Sequence, residues 1–521
     1  MTLDRKKVIK QIKEYLNTEN YTEIINLCNS ATNNLLDEDI TLELIWATAL
    51  NGNLDEALEI CFLYEREFPD NPIINWYLGK FHLVRKEFKL SEKYFKEFIA
   101  KCPNDENGYI EIGNLRLMFL EYEMAEKVYL EGLDHIPNSD LLNGAIGHVC
   151  FKLEKFELAH KHFMKAKRNQ IIFNLFNIEI IQTSIYTKNY KVAHALIKRR
   201  LNIINYKNED PLFASHNTAK LESELLLYKN HSEIHEIKYL VSEIKNILIH
   251  GNKAICHYSN IYNTNSLIEQ DSCFRLSEAS LFNDPSEGTR LYSYLNLLEE
   301  RNPIRIKFQP KPFIGCFVQN ELNNDLNLWR SYGNNGNGSS IFFFPNKLIE
   351  NYLKEQIKIG LKKDGNHQFE YSNLFMRPDG IDLKLFTVCY VDHSGNFYHP
   401  NPKIENRINS LMSKLKTLIN SIKDVEKYEI QKLIAKLNYL FKDSQFKDEK
   451  EIRLIVESDF KFEVENKKVF INMPKFSNCI IEICLGPKVE NRERTAAVLH
   501  YALRKNKGNM SSVWISTIPY R

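Results

Sequence analysis

The sequence predicts a multidomain protein in which an all-α repeat domain is followed by an α+β domain. Residues 1–250 hold 5 of the 16 prolines and 7 of the 19 glycines, and their apolar residues recur at helical spacing. After residue 250 the apolar runs are shorter, rich in Val, Ile, Phe and Tyr, and bounded by Gly, Pro and Asn, which is typical of strands. A chain of 521 residues is long enough for several domains.

Several residue types recur every 34 positions in the first domain. The series are Pro69, Pro103 and Pro137; Gly79, Gly113 and Gly147; Ala57, Ser91, Ala125, Ala159 and Ala193; and Phe95, Tyr129 and Phe163. This pattern resembles tetratricopeptide repeats, in which a small residue lets two helices approach, an aromatic ring fills the space beside it, and proline ends the unit. The best units cover residues 37–204, and atypical helical pairs are expected to cap them. Such a stack predicts a surface for a protein partner, with a structural spacer or dimerisation arm as the alternative.

Composition excludes several classes of protein. Lys and Arg number 69 against 67 Asp and Glu, so the net charge does not indicate nucleic acid as a partner, although nucleic acid stays open as an acceptor. No apolar stretch approaches a membrane span. The ten cysteines are scattered without a C-x-x-C pair or zinc spacing, which favours free, mostly buried thiols, a cytoplasmic location and no metal site.

The second domain, residues 251–521, carries a series of recognisable blocks. In order they read AICHYS, LFNDPSEG, GCFVQ with LWRSYG, DEKEIRLIV and CIIEICLG. They resemble a widespread, poorly characterised bacterial domain family that is grouped with ADP-ribosyltransferase-like folds. Val318 and Gln319 depart from its usual serine, and Ile452 from its usual aromatic residue. The resemblance implies an α+β domain that cleaves NAD as a substrate and transfers ADP-ribose to a partner or to water.

His257 and Ser259 are two residues apart in a predicted strand, so their side chains share a face. The resemblance implies that this pair holds the adenosine ribose and the nicotinamide amide of NAD. A structural histidine is the alternative.

Glu449 and Glu451 are also two residues apart at the start of a predicted strand, and Arg453 follows on the same face. The resemblance points to Glu451 as the carboxylate that stabilises the oxocarbenium-like transition state, with Glu449 orienting or activating the acceptor. Arg453 would bind a pyrophosphate or hold Glu451. The alternative is a solvated strand edge with cross-strand ion pairs.

Trp329 and Tyr332 precede three glycines and a predicted strand. Glycines allow the backbone to approach a ligand, and an aromatic ring there can stack on nicotinamide. A hairpin turn with Trp329 in the core is equally compatible with this pattern. Arg275 lies on another predicted strand and is a candidate phosphate ligand. Residues 403–441 have helical periodicity and predict a helical insertion that covers the sheet.

Two functions follow from these patterns. The first is an NAD-dependent ADP-ribosyltransferase or NAD glycohydrolase whose repeats select or sense a partner, an arrangement that suits bacterial defence or a toxin. The second is a non-catalytic interaction scaffold whose C-terminal domain binds a nucleotide or is structural. They differ in whether His257, Tyr332 and Glu451 converge around one cleft. The acceptor, trigger and oligomeric state stay open.

Overall fold

The computed structural model describes residues 5–31, 37–204, 211–251, 253–281, 288–297, 311–322, 324–357, 381–422, 427–458, 462–507 and 511–520. The chain divides into two compact units, Met1–Lys229 with Gln356–Pro378, and Asn230–Glu355 with Asp379–Arg521. The long segment of the first unit therefore ends before residue 250, where the sequence places the domain boundary. The reason is that the helix Ser232–Ile247 packs against helices of the C-terminal unit.

The N-terminal unit is built from helices joined by short turns. Over its described residues they are α1 (Arg5–Asn17), α2 (Tyr21–Ala31), α3 (Glu38–Leu50), α4 (Leu54–Glu67), α5 (Ile73–Val84), α6 (Phe88–Lys101), α7 (Glu106–Met118), α8 (Tyr122–His135), α9 (Asp140–Lys152), α10 (Phe156–Ala166), α11 (Gln170–Tyr186), α12 (Tyr190–Ile204) and α13 (Pro211–Asn230). Polar caps set several of the starts. Ser139, for example, accepts a hydrogen bond at 2.9 Å from the backbone N–H of Leu142 and begins α9.

The glycines that recur every 34 residues meet the recurring aromatic rings. A Cβ atom added at Gly113 would lie 2.0 Å from the ring of Tyr129, so only glycine lets α7 and α8 pack this closely. The same conflict arises between Gly79 and Phe95, and between Gly147 and Phe163. The predicted repeat register is therefore confirmed at three successive units.

The small residues of the repeat are buried as predicted. Ala125 and Ala159, like their equivalents in the other units, have no exposed surface. Each lies on the second helix of its unit where that helix packs against the first. The N-terminal unit is thus an all-helical solenoid of the tetratricopeptide type.

The C-terminal unit combines helices with two sheets. Its helices are α14 (Ser232–Ile247), α15 (Ile261–Glu269), α16 (Arg290–Tyr294), α17 (Leu326–Ser331), α18 (Pro345–Gln356), α19 (Pro402–Asn420), α20 (Lys427–Ile434) and α21 (Arg492–Lys507). Its strands are β1 (Ile255–Asn260), β2 (Phe274–Glu278), β3 (Phe313–Gln319), β4 (Gly338–Phe343), β5 (Ile381–Thr387), β6 (Cys389–Val391), β7 (Phe397–Tyr398), β8 (Phe441–Asp443), β9 (Glu451–Ser458), β10 (Glu463–Glu465), β11 (Lys468–Met473), β12 (Ile480–Leu485) and β13 (Ser512–Ile515).

The large sheet has the order β10-β11-β2-β3-β1-β4-β12-β13, and β9 adds to it by pairing with β3 and with β5. All of these pairs are antiparallel except the parallel pair of β12 and β13, so the sheet is mixed. The small sheet has the order β7-β6-β8. The predicted α+β class of this unit is confirmed.

The register of β1, β3 and β9 decides which side chains share a face of the large sheet. Cys256 pairs with Val318, and Val318 pairs with Glu451, so these three side chains point to the same face. Arg453 is two residues beyond Glu451 and shares that face, which we call the polar face. His257 follows Cys256 and points to the other face, which we call the aromatic face.

The strands predicted around residues 254–260, 340–344 and 451–457 are confirmed as β1, β4 and β9. The apolar FTVCYV segment, residues 386–391, forms the end of β5 and all of β6. The FNDPSE residues of the second family block lie outside the described residues. Residues 403–441, which the sequence predicts to be helical, contain α20, the 3₁₀ helix Ala435–Leu440 and most of α19.

All ten cysteines are free thiols, and seven of them are buried, as expected. Within the part of the chain that the structure describes, none of the helices has the length and apolar character that a membrane crossing requires. The same residues contain no group of three His, Cys, Asp or Glu side chains arranged to hold a metal ion.

Candidate functional site

A cluster of paired charges lies on the polar face at the start of β9. The guanidinium of Arg453 donates to both carboxylate oxygens of Glu451, from Nε at 2.9 Å and from Nη2 at 3.0 Å. Its Nη1 donates to the carbonyl oxygen of Tyr439 at 2.9 Å. The Arg453 side chain is fully buried and that of Glu451 is 5% exposed. Such a fork-to-fork pair fixes both groups.

Lys442, on β8 of the small sheet, joins the two glutamates predicted from the sequence. Its Nζ lies 2.7 Å from Oε2 of Glu449 and 3.2 Å from Oε2 of Glu451. Tyr390, on β6 of the same small sheet, accepts a hydrogen bond at 2.8 Å from the backbone N–H of Glu451. The small sheet therefore supplies one wall of the cluster.

Glu449 joins this cluster from a local structure other than the predicted strand. It ends the 3₁₀ helix Ser444–Glu449, and Lys450 then adopts a left-handed conformation with φ of 44° before β9 begins at Glu451. The prediction that strand alternation places Glu449 and Glu451 on one face was therefore wrong. Their carboxylates meet because both bind Lys442.

Tyr332 closes the solvent side of the cluster. Its hydroxyl donates to Oε1 of Glu449 at 2.5 Å, and the residue is 47% exposed. Burial and the hydrogen bond to Glu449 raise the pKa of Tyr332, so its hydroxyl keeps the proton that it donates. Tyr332 and the Glu449 carboxylate that it binds, whose side chain is 14% exposed, thus form the solvent edge of the cluster.

The electrostatics favour the charged forms of Glu451 and Lys442. Burial alone would raise the pKa of Glu451, but the charges of Arg453 and Lys442 outweigh burial and lower it to about 2. Burial alone would lower the pKa of Lys442, but Glu451 and Glu449 outweigh it and raise that pKa. Two carboxylates and two cations therefore balance within the cluster.

Cys316 marks an opening in the polar face. It lies on β3, between β9 on one side and β1 and β2 on the other, and yet its side chain is exposed. A hydrogen bond from Cys316 also helps to lower the pKa of Glu451. Solvent thus reaches the sheet beside the charge cluster, at a residue that the sequence did not single out.

His257 is packed on the aromatic face, away from this cluster. Its ring makes edge contacts with Phe274, at 4.9 Å between centroids, and with Phe317, at 5.8 Å. Its Nδ1 lies 3.2 Å from the carbonyl oxygen of Cys316. Burial lowers the pKa of His257 to about 4 and keeps the ring neutral. Ser259 shares this face and is buried as well. The structure therefore does not bring His257 together with Tyr332 and Glu451.

Trp329 is part of the core rather than of a ligand loop. It has no exposed surface, contacts Tyr258 edge-on at 4.9 Å, and donates from Nε1 to Asn324 at 2.9 Å. The glycines that follow serve close packing of the backbone. A Cβ atom at Gly338 would lie 2.2 Å from the carbonyl oxygen of Ser259.

Arg275 lies on β2, with 54% of its side chain exposed. It forms an ion pair with Glu465 at 2.8 Å and lies over the ring of Phe470 at 4.1 Å. None of these contacts connects Arg275 with the charge cluster. Of the eight predicted site residues, the structure brings together Tyr332, Glu449, Glu451 and Arg453.

Sequence reasoning missed Lys442, Tyr390 and Cys316. Lys442 lies in FKD, a three-residue strand at the end of the insertion, and its partners are seven and nine residues later. Tyr390 is part of the FTVCYV run, whose period gives no sign of the break between β5 and β6. A lysine shortly before an E-x-E-x-R run was the one available signal.

Residues 328–454 match a family described as "Protein of unknown function (DUF2971)". The matched segment begins at Leu328 and ends at Leu454, so it includes the whole charge cluster and leaves out His257. No curated protein matches the chain significantly.

The helical repeats resemble those of solved tetratricopeptide-type structures. MamA (MSR-1) is 18% identical, with a TM-score of 0.25 over 31% of this chain and 93% of that chain. MamA of Desulfovibrio magneticus RS-1 is 17% identical, with a TM-score of 0.27 over 32% and 96%. The APC/C hetero-tetramer Cut9-Hcn1 is 16% identical, with a TM-score of 0.31 over 40% and 41%. Likeness at this level says nothing about what this chain binds.

Proposed function

We propose that this protein binds a protein partner through its helical repeats and a small nucleotide-like ligand through the edge formed by Tyr332 and Glu449. The ligand-binding part of this proposal rests on a difference in exposure among the residues of the charge cluster. Glu451 and Arg453 satisfy each other in the interior, whereas Tyr332 is 47% exposed and the Glu449 side chain that it binds is 14% exposed. We therefore assign ligand binding to Glu449 and Tyr332, which we call the outer pair.

The outer pair suits a ribose-bearing ligand. The carboxylate of Glu449 accepts hydrogen bonds from sugar hydroxyls, and the half-exposed ring of Tyr332 offers a stacking surface for a base. Glu451 and Arg453 then act as positioning residues, because they hold Lys442 and the start of β9 in place.

Calorimetric titration of the pure protein with NAD, ADP-ribose and AMP tests this half of the proposal. Glu449→Gln should weaken binding by about tenfold for a lost hydrogen bond to a charged group, and Tyr332→Ala should also weaken it because the stacking surface for the base is lost. Glu465→Gln is the matched control, because Glu465 is an exposed carboxylate on β10 that binds Arg275. Absence of binding by all three nucleotides, or equal losses in the control, would contradict the proposal.

NAD cleavage is the second candidate function, and the hydrogen bond between Tyr332 and Glu449 favours it. In this version Glu449, rather than Glu451, stabilises the developing positive charge on the ribose. Nicotinamide would leave, and water or a partner nucleophile would take the ADP-ribosyl group. An NAD molecule that contacts both His257 and Glu451 does not fit, because these side chains point to opposite faces.

Nicotinamide release separates the two candidates. The pure protein is incubated with NAD, with and without cell extract, and free nicotinamide is measured by chromatography. For the cleavage function, Glu449→Gln should lower release by about 10²–10³ while the folded fraction stays unchanged. Binding of NAD without release would leave the non-catalytic function.

A further inference from the structure

Two asparagines and a glycine shortly after Tyr332 have left-handed backbone conformations in succession. The φ angles of Asn334, Asn335 and Gly336 are 51°, 53° and 83°. Glycine adopts such angles readily, whereas asparagine does so at a cost in free energy. A run of this kind persists where neighbouring parts of the protein hold it. We call residues 333–337, which connect Tyr332 to β4, the asparagine loop.

The ring of Tyr520 packs against the asparagine loop. Tyr520 follows β13 in the chain and is partly buried. A Cβ atom added at Gly336 would lie 3.0 Å from Cε2 of Tyr520, so the ring lies directly on the glycine backbone. The hydroxyl of Tyr520 donates to Oδ1 of Asn335. One side chain therefore contacts two of the three left-handed residues.

Tyr520 also contacts the helix that precedes Tyr332. The guanidinium of Arg330, on α17, lies 5.6 Å from the ring centroid of Tyr520. The ammonium of Lys488 lies 4.1 Å from the same centroid, and both distances fall within the range of a cation–π attraction. Arg330 comes two residues before Tyr332. Tyr520 therefore contacts the chain on both sides of Tyr332, on the helix and in the asparagine loop.

The segment that carries Tyr520 is fixed where it leaves β13. The backbone N–H of Ser516 donates to the carbonyl oxygen of Leu485 at 2.8 Å, and its hydroxyl donates to Oδ1 of Asn324 at 2.8 Å. The same Asn324 oxygen accepts a hydrogen bond from Nε1 of the buried Trp329 at 2.9 Å. Ser516 is itself buried, so this attachment is shielded from water. A short, anchored segment thus holds Tyr520 on the loop.

Other contacts support the two ends of the asparagine loop. Backbone hydrogen bonds from residues 486–488 end on the carbonyl oxygens of Gly336 and Gly338, where the chain enters β4. The backbone N–H of Tyr332 donates within α17 at 2.8 Å. Tyr520 adds a contact that extends from the helix to the middle of the loop, and Tyr332 lies between those two points in the chain.

We propose that Tyr520 is a positioning residue for the outer pair, and that it holds Tyr332 where its hydroxyl reaches Glu449. With Tyr520 in place, the asparagine loop keeps its left-handed run and Tyr332 keeps one direction. Without Tyr520, the loop relaxes towards backbone angles of lower energy, and Tyr332 leaves Glu449 for part of the time. The apparent affinity for a ligand then falls with the fraction of molecules in the competent arrangement. This inference rests on the proposed ligand-binding function and adds a residue that controls the same site.

A double-mutant cycle measures the effect of Tyr520 without any ligand. Tyr332→Phe, Glu449→Gln and the double variant are unfolded in denaturant, in the wild-type background and in the Tyr520→Ala background. The coupling between Tyr332 and Glu449 should fall by about half or more in Tyr520→Ala. It should stay unchanged in Tyr501→Ala, the matched control, because Tyr501 is a 68% exposed tyrosine on α21. Equal coupling in the wild-type and Tyr520→Ala backgrounds would overturn the proposal.

The variant Tyr520→Phe separates the contribution of the ring from that of the hydroxyl. Phenylalanine keeps the contact with Gly336 and with the two cations, and it loses the hydrogen bond to Asn335. It should retain more of the coupling than Tyr520→Ala, because the ring still packs against the loop. Equal losses in the two variants would show that the ring does not position the loop, contrary to the proposal.

Calorimetric titration with NAD, ADP-ribose and AMP gives the second readout. Tyr520→Ala should weaken binding by about threefold or more, and it should weaken binding no further when Tyr332→Ala is already present. An added loss in the Tyr332→Ala background would contradict an action through Tyr332. If the wild type binds none of the three nucleotides, the proposed ligand-binding function fails, and the double-mutant cycle still decides the role of Tyr520.

Discussion

Glu451 and His257 point to opposite faces of one sheet, although both of their strands pair with β3. The one-residue offset between Cys256 and His257 causes this separation, because side chains alternate along β1. Glu451 meets cations on the polar face, whereas His257 meets phenylalanine rings on the aromatic face. Substitutions at the two residues are therefore expected to have different measurable effects.

Replacing Glu451 by glutamine should destabilise the C-terminal unit strongly. Glutamine keeps the shape but leaves Arg453 buried without its countercharge, which costs about 3–5 kcal/mol. Denaturant unfolding followed by circular dichroism measures the change. Glu449→Gln is the control, because Lys442 keeps Glu451 as a partner, and we expect a smaller loss than for Glu451→Gln. Equal midpoints for the two variants would show that the interior pair is not structural.

Stability should also fall at acid pH through Glu451. Its pKa is lowered to about 2 in the folded protein, against a model-compound value of 4.5. The unfolded chain therefore takes up this proton first, and the stabilisation present above about pH 4.5 is lost as the pH falls towards 2. Between these pH values, the free energy of unfolding should depend less steeply on pH for Glu451→Gln than for the wild type. The same pH dependence in both proteins would contradict the assignment of this acid sensitivity to Glu451.

His257 should contribute a separate acid dependence at higher pH. Burial lowers its pKa from 6.5 to about 4, so the unfolded chain binds the proton more readily between these values. The stabilisation is complete above about pH 6.5 and is lost as the pH falls to about 4. His257→Leu should flatten the stability profile in this window, whereas His135→Leu, at an exposed position of α8, should not. Nucleotide binding at Glu449 should be unaffected by His257→Leu at neutral pH.

Overpacking a repeat contact should destabilise the N-terminal unit. Ala159 has no exposed surface, so Ala159→Leu forces α10 away from α9 at a cost of about 1–3 kcal/mol. The neighbouring change Leu158→Ala is the control, since Leu158 is 36% exposed and should shift stability by about 0.5 kcal/mol or less. Thermal unfolding of both variants measures the difference. An unchanged melting temperature for Ala159→Leu would argue against the repeat register.

The repeats were predictable because each unit imposes the same local demand on the sequence. Gly113 must be small where Tyr129 approaches, and the same demand recurs 34 residues away in both directions. A periodic constraint of this kind is visible without knowing how the chain is arranged in space. The strands β1, β4 and β9 were predictable from their apolar residues for a similar reason, since their local pattern and their burial agree.

The charge cluster was only partly predictable because its members come from separate structures along the chain. Glu451 and Arg453 share a face through strand alternation alone, and the sequence predicts that. Glu449 depends on the left-handed turn at Lys450, which has no signature of its own in a lysine. Lys442 depends on the parallel pairing of β6 with β8, which is a contact between distant segments. The opposite orientation of His257 depends on a strand register that one sequence does not define.

Backbone hydrogen bonds join the glycine-rich segment after Tyr332 to residues 486–488, which are distant in the sequence. The N–H of Gly486 donates to the carbonyl oxygen of Gly338, and the N–H of Lys488 donates to that of Gly336, both at 2.9 Å. A Cβ atom at Gly486 would lie 2.3 Å from the carbonyl oxygen of Gly336, so no side chain fits between the segments. Amide hydrogens at Gly486 and Lys488 can therefore exchange with solvent only when the two segments separate, and the two sites should exchange together at one rate.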